Sequence, residues 1–262
     1  MSSVSTTISS AGITTAYLIL TTIFFGFKMF KTHNPPSIDN AEGLSSAWSI
    51  GFIILILVIE FFYNLSVAAK VCNGSPQNAI SVLLYTLLPN FLILGSVIML
   101  ISVFPGWLSP FSNTLGYFLI SCMGLSRNFN SLLKSPKNSG SAGALLTKIC
   151  SDKSLVINEM TPDNYSDFMK TLSNIFVKGF QSKPEYKNLY SLVVIKTLIS
   201  EYIWYLLAGM LAISVGSHAI STIQCDYSPE QMKKTISQLH KEEQEMEVEK
   251  QYKQPVLYTK NN

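Results

Sequence analysis

The segment AWSIGFIILILVIEFFYNLSVAA, residues Ala47–Ala69, decides the fold class of this 262-residue chain. Its only charged side chain is Glu60, and it is longer than the roughly 20 apolar residues that a helix needs to cross a bilayer. Trp48 stands where an interfacial indole belongs, and Lys70 follows the segment at its other end. The segment therefore predicts a transmembrane helix.

A second long apolar segment, AISVLLYTLLPNFLILGSVIMLISVF at Ala79–Phe104, follows after a short link. Asn73-Gly74 and Pro76 predict a tight turn in that link, so the two segments should form an antiparallel hairpin. Pro89 falls near the middle of the second segment and has no backbone N–H to donate. We therefore expect a kink there.

Two more apolar stretches complete the membrane region. One is Ala11–Phe30, near whose end Lys28 and Lys31 can reach the headgroups, and the other lies in Leu189–Ser221. Only 13% of the residues are charged, about half of the usual soluble fraction. These features predict an all-α integral membrane protein with about four transmembrane helices, near residues 11–30, 47–69, 79–104 and within 188–225.

Turn formers and large rings crowd the stretch FPGWLSPFSNTLGY, where the third apolar segment ends. We expect Pro105-Gly106 to end the helix, Trp107 to lie at the membrane surface, and Ser109-Pro110 to restart a helix. That helix, near residues 110–133, should lie in the interface or re-enter the membrane, or else be a short buried helix of a soluble lobe. The predicted surface residues are Phe104, Pro105, Gly106, Trp107, Pro110, Phe111 and Tyr117.

The rest of residues 1–134 belongs to the predicted membrane region, whereas residues 135–187 predict a small soluble helical lobe. A helix that begins near Pro162 would carry Tyr165, Phe168 and Phe176 on one face. That face must pack on the membrane, on another lobe or on a partner. Residues 226–262 form a charged tail, for which a solvated or partner-docked helix is expected.

Sequence motifs for reactive chemistry are missing, so we expect no enzyme, no cofactor, no metal and no small-molecule substrate. The chain has no glycine-rich phosphate loop, no HExxH and no GxSxG. Its formal net charge of +3 does not indicate a nucleic-acid partner. The four cysteines, Cys72, Cys122, Cys150 and Cys225, share no metal-ligand spacing, and we expect free buried thiols.

Three charges fall within apolar segments: Glu60, Lys196 and Glu201. A charge in hydrocarbon costs roughly 2.5–3.5 kcal/mol on insertion scales, so it is usually paired, hydrated or near the surface. Glu60 with Lys196, or Lys196 with Glu201, could form an ion pair or part of an ion or proton path. Alternatively, the fourth span begins at about Ser200, which leaves Lys196 and Glu201 at the headgroups.

Lysine and arginine positions suggest a topology. With four spans, the loop after Lys31 and the 105–187 segment share one side, and that side is predicted to be cytoplasmic because it holds most basic residues outside the tail. The N-terminus and the tail would then lie on the opposite side.

The run FPGWLSPFSNTLGY, preceded by LLYTLLPNFLILGSVIML, resembles a membrane protein family of nucleocytoplasmic large DNA viruses, in the chlorovirus, iridovirus and mimivirus-like groups. The similarity covers roughly residues 46–124 and is specific at an FPGW-x-x-PFSNT-x-GY core. It implies a minor capsid protein in the inner membrane of a large icosahedral virion, in a bilayer derived from the host ER. Its implied partners are lipid and other capsid or membrane proteins, and it implies no catalytic residues.

Two other functions compete with this one. A small channel or transporter subunit would use Glu60 and the Pro89 kink to line a path. A tetraspan-like membrane organiser would need paired extracellular cysteines, which the cysteine spacing does not suggest.

Overall fold

The computed structural model describes residues 2–33, 42–72, 79–135, 143–223 and 225, together with 233, 236–237 and 240–246 of the tail. Every regular element that these residues form is a helix, which confirms the predicted all-α class. Residues 240–246 are helical and exposed, in agreement with a solvated helix in the charged tail. The predicted turn at residues 73–78 lies outside the described residues.

Four helical segments are long and apolar enough to cross a membrane, as the sequence predicts. The first lies in α1 (Ser2–His33) and the second in α2 (Glu42–Val71). The third begins in α3 (Ala79–Pro89) and continues through α4 (Ser96–Val103), and the fourth lies in α11 (Pro184–Ser221). Within them the candidate spans are Ala11–Thr32, Trp48–Val71, Ala79–Val103 and Pro184–Ser221.

The four segments form an antiparallel bundle in which α11 contacts all the others. The Phe24 ring of α1 stacks on Phe52 of α2 with 4.2 Å between centroids. Two turns before Phe24 on α1, the Tyr17 hydroxyl donates to the Tyr205 carbonyl of α11 at 2.6 Å. The helices approach so closely here that a side chain at Gly209 would overlap the Tyr17 ring. Such close contact at small residues is how membrane helices gain packing energy.

Pro89 interrupts the third span where the sequence places it. The regular α-helix ends at this residue, and a π-helical stretch, Asn90–Gly95, follows before α4 begins. Proline has no N–H, so the carbonyl of Tyr85 loses the donor that a regular helix would supply. One residue further on, the Thr86 carbonyl accepts from the Asn90 side-chain amide at 3.0 Å. The π-helical turns therefore accommodate the proline within one continuous membrane segment.

The chain turns sharply at the end of the third span and then restarts as a helix. A 3₁₀ turn, Pro105–Leu108, leads into α5, Ser109–Phe111, a π-helical stretch, Ser112–Gly116, and α6, Tyr117–Cys122. The restarted helix of 14 residues is about 21 Å long, too short for a hydrocarbon core of about 30 Å. It ends at Gly124, whose φ of 95° is in the left-handed region, so it does not cross the membrane.

A helical lobe packs on the first half of α11, and it draws on more of the chain than residues 135–187. Its elements are α7, Leu125–Leu132, α8, Gly143–Ser151, α9, Ser154–Ile157, and α10, Tyr165–Thr171. Its core also includes α11 residues from Tyr186 to Ile199. The expected boundary at residues 187–188 is therefore wrong, because one helix serves both the lobe and the membrane.

The aromatic residues predicted for one helix face of the lobe are buried inside it, but the expectation of a single helix is wrong, since α10 ends at Thr171 and Phe176 is extended. Tyr165 and Phe176 are each 1% exposed, and Phe168 packs against the same core. The Tyr165 hydroxyl donates to the Tyr186 carbonyl at 2.8 Å, and burial raises the pKa of this hydroxyl far above its ordinary value. A pair of backbone hydrogen bonds between Leu132–Lys134 and Ile175–Val177 closes the core. These rings hold the lobe together and offer no free surface to a partner.

A disulfide joins Cys72, directly after α2, to Cys225, beyond the end of α11. The expectation of four free buried thiols is wrong for this pair, whereas Cys122 and Cys150 are free, with Cys122 exposed and Cys150 half-buried. The bond is a cysteine pair of the kind that a tetraspan-like organiser would need, and the spacing of the cysteines did not suggest it. Both cysteines lie at the end of the bundle opposite the lobe, in agreement with the antiparallel order of the spans. Since disulfides persist in oxidising compartments, the pair favours a non-cytoplasmic location for that end.

We predict that Cys72 and Cys225 are bonded in the native protein. A protease site inserted within residues 136–142 should give two fragments that stay linked without reductant and separate with it, on denaturing gels. Substitution of Cys225 by serine should abolish the link and lower the free energy of unfolding by about 2–4 kcal/mol. A C122S/C150S variant should behave like wild type, and fragments that separate without reductant would contradict the assignment.

Candidate functional site

The membrane-surface corner, residues Phe104–Tyr117, is held against α11 by its backbone. The Trp204 indole donates to the Trp107 carbonyl at 2.9 Å, and the Ser200 hydroxyl donates to the Leu108 carbonyl at 2.6 Å. A corner that loses regular helical bonds must satisfy its carbonyl groups elsewhere. Two of them do so on one face of α11, so the corner has a defined position.

The predicted corner residues divide into an exposed group and a packed group. Phe111 packs edge-on against Trp204 at 5.3 Å, and Tyr117 lies against the lobe core. Phe104 and Trp107 are 60% and 50% exposed, as expected for rings at a membrane surface. Exposed with them are Pro105, Gly106 and Pro110.

Gly116 is the point of closest approach between the corner and α11. A Cβ atom at this position would lie 2.7 Å from the Lys196 carbonyl oxygen and 3.0 Å from Lys196 Cγ. Only a residue without a side chain fits against another backbone at that distance. The sequence drew attention to the prolines and rings of this stretch, whereas the glycine that lets it dock was not identified.

All three tryptophans of the chain lie at the level of this corner. Trp107 and Trp204 contact each other, with ring centroids 6.0 Å apart. Trp48 contacts Phe27 of α1, and the Lys31 ammonium lies 5.0 Å from the Trp48 ring. Indole rings and lysines prefer the boundary between hydrocarbon and headgroups. This belt, defined by Trp48, Trp107 and Trp204, therefore marks one surface of the bilayer on the bundle.

Glu201 lies in the same belt, where its carboxylate accepts from Lys28 of α1 at 3.2 Å. The two side chains are 27% and 15% exposed, and the Lys28 ammonium also sits 5.2 Å from the Phe25 ring. The alternative in which the fourth span begins at about Ser200 therefore accounts for Glu201. The proposed pair of Glu201 with Lys196 does not form.

Lys196 is 1% exposed and lies on the lobe side of the belt. Its ammonium donates to the Ile157 carbonyl at 2.7 Å, to Asn113 Oδ1 at 3.3 Å and to the Asn158 carbonyl at 3.5 Å. The expected ion pair with Glu60 does not form either, because Lys196 uses neutral oxygens for all three bonds. One buried lysine thus ties the corner and the lobe to α11.

Glu60 is the one predicted charge that remains inside the membrane bundle, where it is 1% exposed. Its Oε2 accepts from the Asn90 side-chain amide at 2.7 Å. In the adjoining turns, the Asn64 amide donates to the Thr86 hydroxyl at 2.9 Å. Sequence reasoning did not find this polar cluster of Glu60, Asn64, Thr86 and Asn90. Glu60 and Asn64 are four residues apart, and so are Thr86 and Asn90, which puts each pair on one helix face. This spacing is the sequence signal that could have revealed the cluster.

Among the described residues, no group of three or more His, Cys, Asp or Glu side chains could hold a metal ion. The residues that the structure does bring together are the packed rings and ion pair of the belt and the buried carboxyl of Glu60 at the bundle centre. Comparison of the chain with protein-family models, with curated proteins and with solved structures gives no match.

We predict that Gly116→Ala destabilises the docked corner, because its methyl group would press on the Lys196 backbone. The expected loss is about 1–3 kcal/mol, measured as a lower midpoint of thermal unfolding in detergent. Gly106→Ala is the matched control, since nothing lies within 4 Å of a Cβ atom there. Equal midpoints for the two variants would contradict the close contact.

We also predict that Lys196→Met weakens the attachment of the lobe. The substitution removes donors from three oxygens and should cost about 1–3 kcal/mol, with protease cleavage of the lobe increased correspondingly. Lys187→Met, at an exposed position of the same helix, should leave both readouts unchanged. Equal protease resistance of the two variants would exclude a stabilising role for the buried ammonium.

Proposed function

We propose that this chain is a non-enzymatic structural membrane protein that anchors a protein shell to a lipid bilayer. The observation that carries the proposal is the continuity of α11. At 38 residues it is about 57 Å long, so it crosses the bilayer and continues through the lobe without a hinge. Force applied to the lobe is transmitted directly to the membrane bundle, which an anchor requires.

The likeness of the corner to viral membrane proteins gives this proposal its finer form. On that basis the chain is a minor capsid protein in the inner, ER-derived membrane of a large icosahedral DNA virus, and its partners are lipid and other capsid proteins. The belt and the lobe support this form, because they hold the corner at the membrane surface, where a capsid contact would be made.

Contact with the shell would use a surface that the expected rings cannot provide. Residues 115–123, around α6, carry an uncharged outer face with Leu115, Phe118, Leu119 and Met123 between 40% and 66% exposed. Gly116 lies against Lys196, which is about 12 Å along α11 from Trp204. The face therefore extends beyond the belt, where lipid tails cannot cover it. Aromatic and aliphatic side chains of this kind supply most of the binding energy in interfaces.

The proposal is tested by incorporation into particles. Phe118→Asp should lower the amount of the chain in purified, shell-stripped particles on the order of tenfold relative to the membrane fraction, as for loss of one interface anchor. Leu155→Asp is the matched control, because Leu155 is 48% exposed elsewhere on the lobe, and it should incorporate normally. Equal incorporation of the two variants would contradict the proposed face, and absence of the wild-type chain from stripped particles would end the viral assignment.

A small channel or transporter subunit is the second candidate, and the buried Glu60 cluster is the observation that favours it. Glu60 and the irregular turn after Pro89 adjoin each other at the bundle centre. Reconstituted vesicles would separate the two candidates. Ion or proton flux that Glu60→Gln abolishes would favour transport, whereas absence of flux in the wild type would favour anchoring.

A further inference from the structure

The Glu60 carboxyl is bonded at one oxygen only. Oε2 accepts from Asn90, whereas Oε1 is buried and has no hydrogen-bond partner among the described residues. A buried carboxylate oxygen without a donor or a cation is strongly unfavourable. If Glu60 were ionised, its Oε1 would therefore be a buried carboxylate oxygen with neither a donor nor a cation.

A second acceptor oxygen faces the same glycine of α11 as Oε1 does. A Cβ atom at Gly216 would lie 3.5 Å from Glu60 Oε1 and 3.2 Å from the Tyr85 carbonyl oxygen. That carbonyl is the one whose regular helical donor is lost at Pro89. Both oxygens therefore line the space beside Gly216, and a proton on Oε1 would give this buried oxygen a donor to offer to an acceptor there.

The site is at the centre of the membrane. Glu60 is 12 residues from Trp48 and 11 from Val71, the two ends of its span, which corresponds to about 17 Å from either end. From α1, the Tyr17 hydroxyl is near enough to interact electrostatically with Glu60. Among the described residues, no basic side chain forms an ion pair with Glu60.

We propose that Glu60 is a proton-binding site in the membrane, held as a neutral carboxylic acid with its proton on Oε1. The proton fills the space that Oε1 shares with the Tyr85 carbonyl and Gly216, while Oε2 keeps its bond from Asn90. A proton fits better than a metal ion, because ions such as Ca²⁺ take six to eight oxygen ligands and far fewer converge here. Loss of the proton would place a charge between α2, α3 and α11.

Infrared spectroscopy of the protein in lipid vesicles tests the proposal directly. At about pH 7 the exposed carboxyl groups, with ordinary pKa values near 4, are ionised. The wild type should therefore show the carbonyl band of an un-ionised carboxylic acid, and Glu60→Gln should lose it. Glu201→Gln is the matched control, since it removes a carboxyl that is paired with Lys28, and it should retain the band.

Two further measurements keep the result independent of the folding of Glu60→Gln. In wild-type protein that carries ¹³C-glutamate, the band should shift, which assigns it to a glutamate without any substitution. In addition, Glu60→Gln should unfold at or above the wild-type temperature, because its amide supplies a donor at the position of the proton. Absence of the band from the wild type at about pH 7, or its persistence in folded Glu60→Gln, would overturn the proposal.

Discussion

α11 is longer than a bilayer is thick, so its two halves lie in different surroundings. Lipid can cover only one of them. In its second half, Leu207, Leu211 and Val215 are 44–56% exposed at a spacing of four residues, so one stripe faces lipid. In its first half, the residues from Leu189 to Ile199 are mostly buried by the lobe and by the chain after the corner. A helix that is apolar all round needs protein cover wherever lipid ends. The lobe provides that cover for the first half of α11.

Polar contacts then fix how the other segments meet α11. The Ser200 and Lys196 side chains of α11 donate to backbone carbonyls of the corner and the lobe. These hydrogen bonds can form in only one alignment of the segments along α11, whereas apolar packing alone would allow several alignments. Water is scarce at this depth, so an unmade bond is costly. The bonds therefore specify the register between the corner and α11, and close contact at Gly116 adds the packing energy that this register allows.

Sequence reasoning succeeded where a property is carried by consecutive residues. The length and apolarity of Ala79–Val103 predict a span whatever surrounds it, and Pro89 interrupts a helix because of its own ring. The belt was foreseen in part for the same reason, since Trp48 and Trp107 stand at the ends of apolar segments. These features depend on local chemistry and on bilayer thickness alone.

The features that sequence reasoning missed are pairings between distant residues. The partners of Lys196 and Glu201 come from other elements, Ile157 and Lys28, and the disulfide joins cysteines 153 residues apart. An amphipathic helix such as α10 has an apolar face in either case, and its sequence does not tell whether that face turns into the lobe or toward a partner. In this chain it turns inward, because the first half of α11 also requires cover. The lobe beside the bundle therefore uses its best apolar face on α11, and an outside partner would have to contact what remains exposed.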